Sequence, residues 1–182
     1  MNPNSTSPSA GTAYDGIVER TPEGGVIRFE RRLLHPIEHV WDAITSPARL
    51  AEWWLPFPAD ITVDLREGGR MVMVANHDES IRIDCTILRL DPPRLLEHTH
   101  VDEGAVMRWE LEPAGAGCVL RLSHFVVDPA AAIGQCFVVG LHTSLSRLEP
   151  CLHGTPTEWD WDEFAESQRH YATMGLAPSL DA

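Results

Sequence analysis

The chain has 182 residues, of which 43% are hydrophobic and 23% charged, a composition that suits one soluble globular domain and leaves no room for two ordinary ones. Its formal charge of −13 comes from 27 acidic residues against 14 arginines and no lysine. Such a surface repels phosphate backbones and anionic membrane faces, so neither nucleic acid nor a membrane is expected as a partner. No apolar run reaches the ~20 residues of a spanning helix. Cys85, Cys118, Cys136 and Cys151 form no Cys-x-x-Cys pair, so the expectation is a cytoplasmic protein without disulfide or zinc framework.

Residues 1–14, rich in Ser, Pro, Asn and Thr, are expected as a disordered leader. Residues 26–34 read as a first strand. Residues 35–54 then form two short helices in tandem, with His35 and Ser46 at cap positions and Pro36 and Pro47 in the first turns, where a missing N–H costs nothing. Val40, Trp41 and Ile44, then Leu50, Trp53 and Trp54, supply their apolar faces. Strands at 60–66 and 70–76 turn around Glu67-Gly68-Gly69. Over 80–90, Ile81, Ile83, Cys85 and Ile87 alternate with Arg82, Asp84 and Thr86, the period of a strand. Strands at 95–101, 106–112 and 118–126 follow. Asp128-Pro129 opens a long helix whose stripe is Ile133, Phe137, Leu141, Leu145 and Leu148, ending at Pro150 and Gly154. Thr157 caps a last helix with Trp161, Phe164, Gln168 and Tyr171 on one side.

These elements predict an α+β domain over 15–155, with a helical extension over 156–182 packed on it. A curved antiparallel sheet of about six to seven strands wraps a long C-terminal helix, with two short helices after the first strand. Layers that cannot close everywhere leave an apolar cavity between sheet and helix.

This order resembles the SRPBCC (START-like, Bet v-like) superfamily and its helix-grip fold. Within it, the chain is similar to bacterial homologues of the family named for activators of the heat-shock-protein-90 ATPase. The resemblance rests on Val40-Trp41-Asp42-Ala43-Ile44-Thr45, Trp53-Trp54, Gly68-Gly69, Asp91-Pro92-Pro93-Arg94-Leu95, Trp109-Glu110-Leu111-Glu112-Pro113 and Leu120-Arg121-Leu122-Ser123-His124. It covers roughly residues 26–153 and implies a cavity for a small hydrophobic ligand without implying a reaction; no cofactor is expected.

Pairing Val101 with Val106 puts His100 opposite Met107 and His98 opposite Trp109. One face then carries Leu96, His98, His100, Met107, Trp109 and Leu111, and Leu120, Leu122 and His124 join it from the next strand. Three histidines facing one cavity suggest a metal site or a general acid/base pair. No flanking carboxylate or cysteine completes a ligand set, so metal is not expected, and ordinary cavity polarity is the favoured reading of His98, His100 and His124. The residues expected to touch a ligand are Trp53, Met71, Met73, His98, His100, Trp109, Leu122, His124, Phe137, Leu141 and Leu145. His100 stands where relatives often carry tryptophan, which predicts a ligand with a hydrogen-bonding group. Two other functions stay open. One is a cavity enzyme of polyketide cyclase or lyase type, using these histidines. The other is a co-chaperone or regulator-associated module using the acidic aromatic tail, and a homodimer is left open as well.

Overall fold

The computed structural model describes residues 14–180; apart from Tyr14, the expected leader lies outside the described residues. Eight antiparallel strands form one sheet in the order β1-β2-β8-β7-β6-β5-β4-β3. They are β1 (Ile17–Thr21), β2 (Gly24–Leu33), β3 (Ala59–Val63), β4 (Arg70–Ala75), β5 (Asp78–Asp91), β6 (Leu95–Thr99), β7 (Val106–Ala114) and β8 (Gly117–Val126). Helices α1 (Ile37–Thr45) and α2 (Pro47–Trp53) follow β2, and α3 (Pro129–Gly134), α4 (Phe137–Leu152) and α5 (Trp161–Thr173) follow β8. The last strand slots between β2 and β7, so the second and the eighth strands of the chain are neighbours. This is the α+β helix-grip architecture, with one strand more than the sequence pattern shows.

That extra strand is β1, which hairpins onto β2 with Ile17 opposite Arg28. Only two of its five residues are apolar and its side chains are largely exposed, so it carries no period-2 signal. The turn into β2 needs Gly24, at φ 145°, because a Cβ there would sit 2.2 Å from the Val126 carbonyl oxygen. The helix cap of α1 is Pro36 rather than His35: its carbonyl accepts from the His39 and Val40 amides. Ser46 does precede α2, but its side chain makes no capping bond.

The long helix is interrupted. α3 ends at Gly134, Cys136 takes a left-handed φ of 59°, and α4 starts afresh at Phe137. Pro150 does not end α4, which continues to Leu152 and stops before Gly154 at φ 75°. A proline in the last turn deletes one late hydrogen bond without breaking the rod. α5 is capped by Asp160, not Thr157: the Asp160 carboxylate accepts from the amides of Asp162 and Glu163, where an acid also suits the helix dipole.

The β6–β7 register also differs from expectation. Thr99, not Val101, pairs with Val106, and His98 faces Met107 while Leu96 faces Trp109. The turn is longer because the His100 and Ala105 amides bond within it, to Ala105 and Asp102 carbonyls. A slip of two residues keeps every side chain on its expected face. On the outer face, Glu97 therefore pairs directly with Arg108, at 2.5 Å.

α4 lies between the sheet and α5, which is why Val138, Val139, Thr143 and Leu148 are all fully enclosed rather than one stripe alone. Tyr171 of α5 is wholly buried and locks three elements together. Its hydroxyl accepts from the Gly16 amide at 2.7 Å and meets His142 Nδ1 at 2.8 Å. Tyr171→Phe is expected to cost about 1–3 kcal/mol by leaving both partners unpaired. Urea unfolding should show a lower midpoint with an unchanged slope.

Candidate functional site

The concave face of the sheet and α4 enclose a cavity of about 320 Å³, room for roughly ten waters at ~30 Å³ each. Its floor is Met73 of β4 with Ile83 and Cys85 of β5. His98, His100 and His124 stand on one wall, and Phe137 and Leu141 of α4 on another. Trp54, Leu55 and Pro56, from the end of α2 and the loop after it, close one side, and Trp159, Trp161 and Phe164 of the tail meet them across the mouth. Among the described residues, no Asp, Glu or Arg side chain borders this space, despite 27 acids in the chain.

Of the residues expected to touch a ligand, Met73, His98, His100, His124, Phe137 and Leu141 border the cavity. Trp53, Met71, Trp109, Leu122 and Leu145 do not, because each is packed into the core behind it. Trp53 and Trp54 divide the duties that the sequence left joined. Trp53 is fully buried with its indole N–H donating to the Ala43 carbonyl at 2.9 Å, whereas Trp54 turns to the cavity. The rings of Trp53, Trp54 and Trp109 meet edge to face within 6.2 Å, which fixes the Trp54 wall. The tail aromatics, Ile83, Cys85 and Cys136 escaped the sequence reading. For Cys85 and Ile83, the alternation over 80–90 already marked the inward face.

The three histidines are chemically unlike. His98 is satisfied: Nδ1 lies 2.7 Å from the Thr99 carbonyl oxygen, to which only an N–H can donate, and Nε2 accepts the Trp109 indole N–H at 3.2 Å. These partners assign it as a neutral ring protonated at Nδ1. His100 and His124 face each other with ring centroids 4.5 Å apart, and both touch the Phe137 ring. Among the described residues, neither His124 nitrogen, nor His100 Nδ1, has a partner, although all three atoms are buried. Burial, reinforced by the neighbouring histidines, pushes the His100 pKa down to about 3. Burial and His98 push that of His124 down to about 4. Both rings are uncharged at neutral pH, each with one donor and one acceptor to offer.

A general base works best with a pKa near the operating pH, so these rings serve hydrogen bonding better than proton abstraction. Among the described residues, no group of three or more His, Cys, Asp or Glu is placed to hold a metal ion. The four cysteines are free thiols. A neighbouring hollow of about 460 Å³ lies on the other side of Leu55 and Pro56. Arg147 borders it, but its guanidinium already donates to four backbone carbonyls.

Comparison with known proteins places this geometry among relatives. The family model described as "Activator of Hsp90 ATPase homolog 1-like protein" matches residues 34–153. CalU16 from Micromonospora echinospora superposes with a TM-score of 0.66 at 26% identity, over 86% of this chain and 93% of that one. Protein NE0264 from Nitrosomonas europaea gives 0.61 at 23% identity, over 71% and 94%. A conserved protein of unknown function, EF2215 from Enterococcus faecalis, gives 0.72 at 15% identity, over 91% and 94%. The last two share the fold alone. No protein with a curated description matches the sequence. Trp159, Trp161 and Phe164 lie beyond the stretch that the family model matches.

Proposed function

The chain belongs to the Activator of Hsp90 ATPase homolog 1-like family, and from that premise we propose that it binds a small, largely apolar molecule between the sheet and α4. The observation that carries this reading is the pairing of apolar walls with orphaned polar atoms. A buried nitrogen without a partner costs about 1–3 kcal/mol, and His100 and His124 together leave three such atoms at the edge of one cavity. A ligand with a polar group recovers that cost while its body displaces water from aromatic and thioether surface. The depressed basicity of both rings favours binding over a cyclase- or lyase-type reaction. No helix among the described residues is long and apolar enough to cross a membrane, and with four unpaired thiols we place the protein in the cytoplasm.

The neutral dye N-phenyl-1-naphthylamine tests the reading. It is expected to brighten on binding at one dye per chain. Leu141→Trp, which fills the cavity from α4, is expected to weaken the dye by tenfold or more while the melting temperature stays within a few degrees. A dye that stays dark, or one that binds the filled variant equally well, would overturn the proposal.

A further inference from the structure

His124 of β8 is wholly buried at the cavity, and neither of its ring nitrogens has a partner among the described residues. A neutral imidazole carries one N–H and one bare lone pair, whichever nitrogen holds the proton. His124 therefore leaves one donor and one acceptor unserved, and this count is independent of its tautomer. His100 adds Nδ1, a third buried atom without a partner. Other polar groups along the wall ask for less. Both nitrogens of His98 are engaged, the Ser144 hydroxyl donates to the Trp54 carbonyl at 2.9 Å, and Gln135 is exposed to water. The Trp159 indole N–H is also buried and unpartnered, but it is a donor alone and leaves the His124 lone pair unanswered.

A balanced pair of this kind selects among polar groups. A ketone, ether or ester accepts but does not donate, so a buried lone pair stays orphaned at full cost. An ammonium donates only and a carboxylate accepts only. Both surrender hydration on entry, and among the described residues no charged side chain borders the cavity to repay it. A carboxamide donates and accepts from separate atoms and sets more polar surface against apolar walls. A hydroxyl does both from one atom. Two hydrogen bonds of about 2.8 Å meeting at one oxygen span up to about 5.6 Å, and the centres of the His100 and His124 rings lie 4.5 Å apart. The surrounding wall is aromatic: the Phe137 ring lies 5.8 and 5.3 Å from those two imidazoles, and Trp54 borders the same space. A flat aromatic body makes edge-to-face contacts with such rings. A phenolic hydroxyl, with a pKa of about 10, keeps at neutral pH the proton that the imidazole lone pair needs.

We infer that the ligand is a phenol, its hydroxyl bridging His100 and His124 and its ring lying against Phe137 and Trp54. This rests on the cavity-binding reading and narrows it to one chemical class. The hydroxyl oxygen accepts the N–H of one imidazole and gives its own proton to the lone pair of the other, so no charge enters the cavity.

Displacement of N-phenyl-1-naphthylamine by three probes built on one bicyclic ring tests the inference. 2-Naphthol donates and accepts, 2-methoxynaphthalene only accepts, and 2-naphthoate is charged. At pH 7, 2-naphthol is expected to displace the dye at a concentration about tenfold lower than its methyl ether, with 2-naphthoate the weakest of the three. The ether is the more apolar molecule, so apolar burial alone favours it and works against the expected order. In His124→Phe the ratio of the naphthol and ether affinities is expected to fall to near one. His124 is wholly buried, so His100→Phe, at a half-buried position, repeats the test where the first variant does not fold, and it is expected to lower the same ratio. If the dye binds but 2-naphthol gains nothing over the ether, if 2-naphthoate displaces best, or if the preference survives loss of either ring, the phenol assignment falls and cavity binding stands. If the dye does not bind the wild-type protein, both fall together.

Discussion

Acidification from pH 7 to about 4.5 is expected to strip this protein of much of its stability, with the loss beginning above the range in which carboxylates protonate. The cause is a set of histidines folded in their neutral form. Burial lowers the pKa of His124 and His142 to about 4 and of His100 to about 3, and that of satisfied His98 as well. In the unfolded chain each returns to about 6.5. Between those values the unfolded state binds more protons, so stability is full above about pH 6.5, falls as the pH drops, and levels off below the folded values. Each ring contributes at most about 1.4 kcal/mol per pH unit, and His100, His124 and His142 together about 4. Against a total stability of ordinary size, about 5–15 kcal/mol, two pH units remove up to about 8 kcal/mol.

Asp78, held low by Ser80, and Asp84, held low by Arg70, are both surface groups. Any stability they carry is present above the usual carboxylate value and is lost only as pH falls below it, outside this window. Urea titrations at pH 7, 6 and 5 measure the slope directly. The double variant His100→Phe with His124→Phe should lose the part of it that belongs to those two rings and keep the part that belongs to His142 and His98. A stability that stays flat from pH 6.5 to 4.5 would show that these rings take up protons in the folded state.

The same histidines show where sequence reasoning holds and where it stops. That His98, His100 and His124 share a face follows from strand parity alone, and parity survives the two-residue error in the β6–β7 register. Which of them keeps a free nitrogen does not follow, because it depends on whether a Trp109 indole on the next strand reaches the ring. The tandem helices were legible because proline marks a helix start locally, to within one residue. The break at Cys136 was not. Ile133 and Phe137 stay four apart on either side of it, so the apolar stripe runs on in phase, and Gly134 was the single local hint. Depth is likewise invisible to periodicity. Met71 and Met73 share a face, yet only Met73 reaches the cavity. Trp159 and Phe164 arrive from an extension some sixty residues beyond His100, and no pattern in either segment announces the meeting.

Arg147→Met is expected to destabilise the protein by about 3–5 kcal/mol and to weaken cavity binding at the same time. Arg147 interrupts the buried side of α4 with a charge, and only 7% of it is exposed. Its Nε donates to the Thr157 carbonyl, one terminal nitrogen to those of Trp53 and Leu55, and the other to that of Glu52. Three of these carbonyls belong to the last turn of α2 and the residues just after it, where helix carbonyls lack internal partners and a cation is favoured. The fourth belongs to the irregular segment that leads to Trp159, over whose ring the guanidinium lies at 5.7 Å. One planar group thus ties the Leu55-Pro56 wall of the cavity to its Trp159 wall. Methionine keeps the apolar stem and much of the volume, so the loss reports the guanidinium head, its hydrogen bonds and its place over the Trp159 ring together. Lysine keeps the charge, but a single ammonium cannot fan out to four carbonyls in two segments, and Arg147→Lys is expected to recover no more than half. Urea unfolding measures the first effect, and the affinity for N-phenyl-1-naphthylamine at a temperature where the variant remains folded measures the second. A variant within 1 kcal/mol of wild type would mean that water replaces the guanidinium at all four carbonyls. A variant that loses stability but binds the dye as tightly as wild type would mean that the two walls hold their places without being tied.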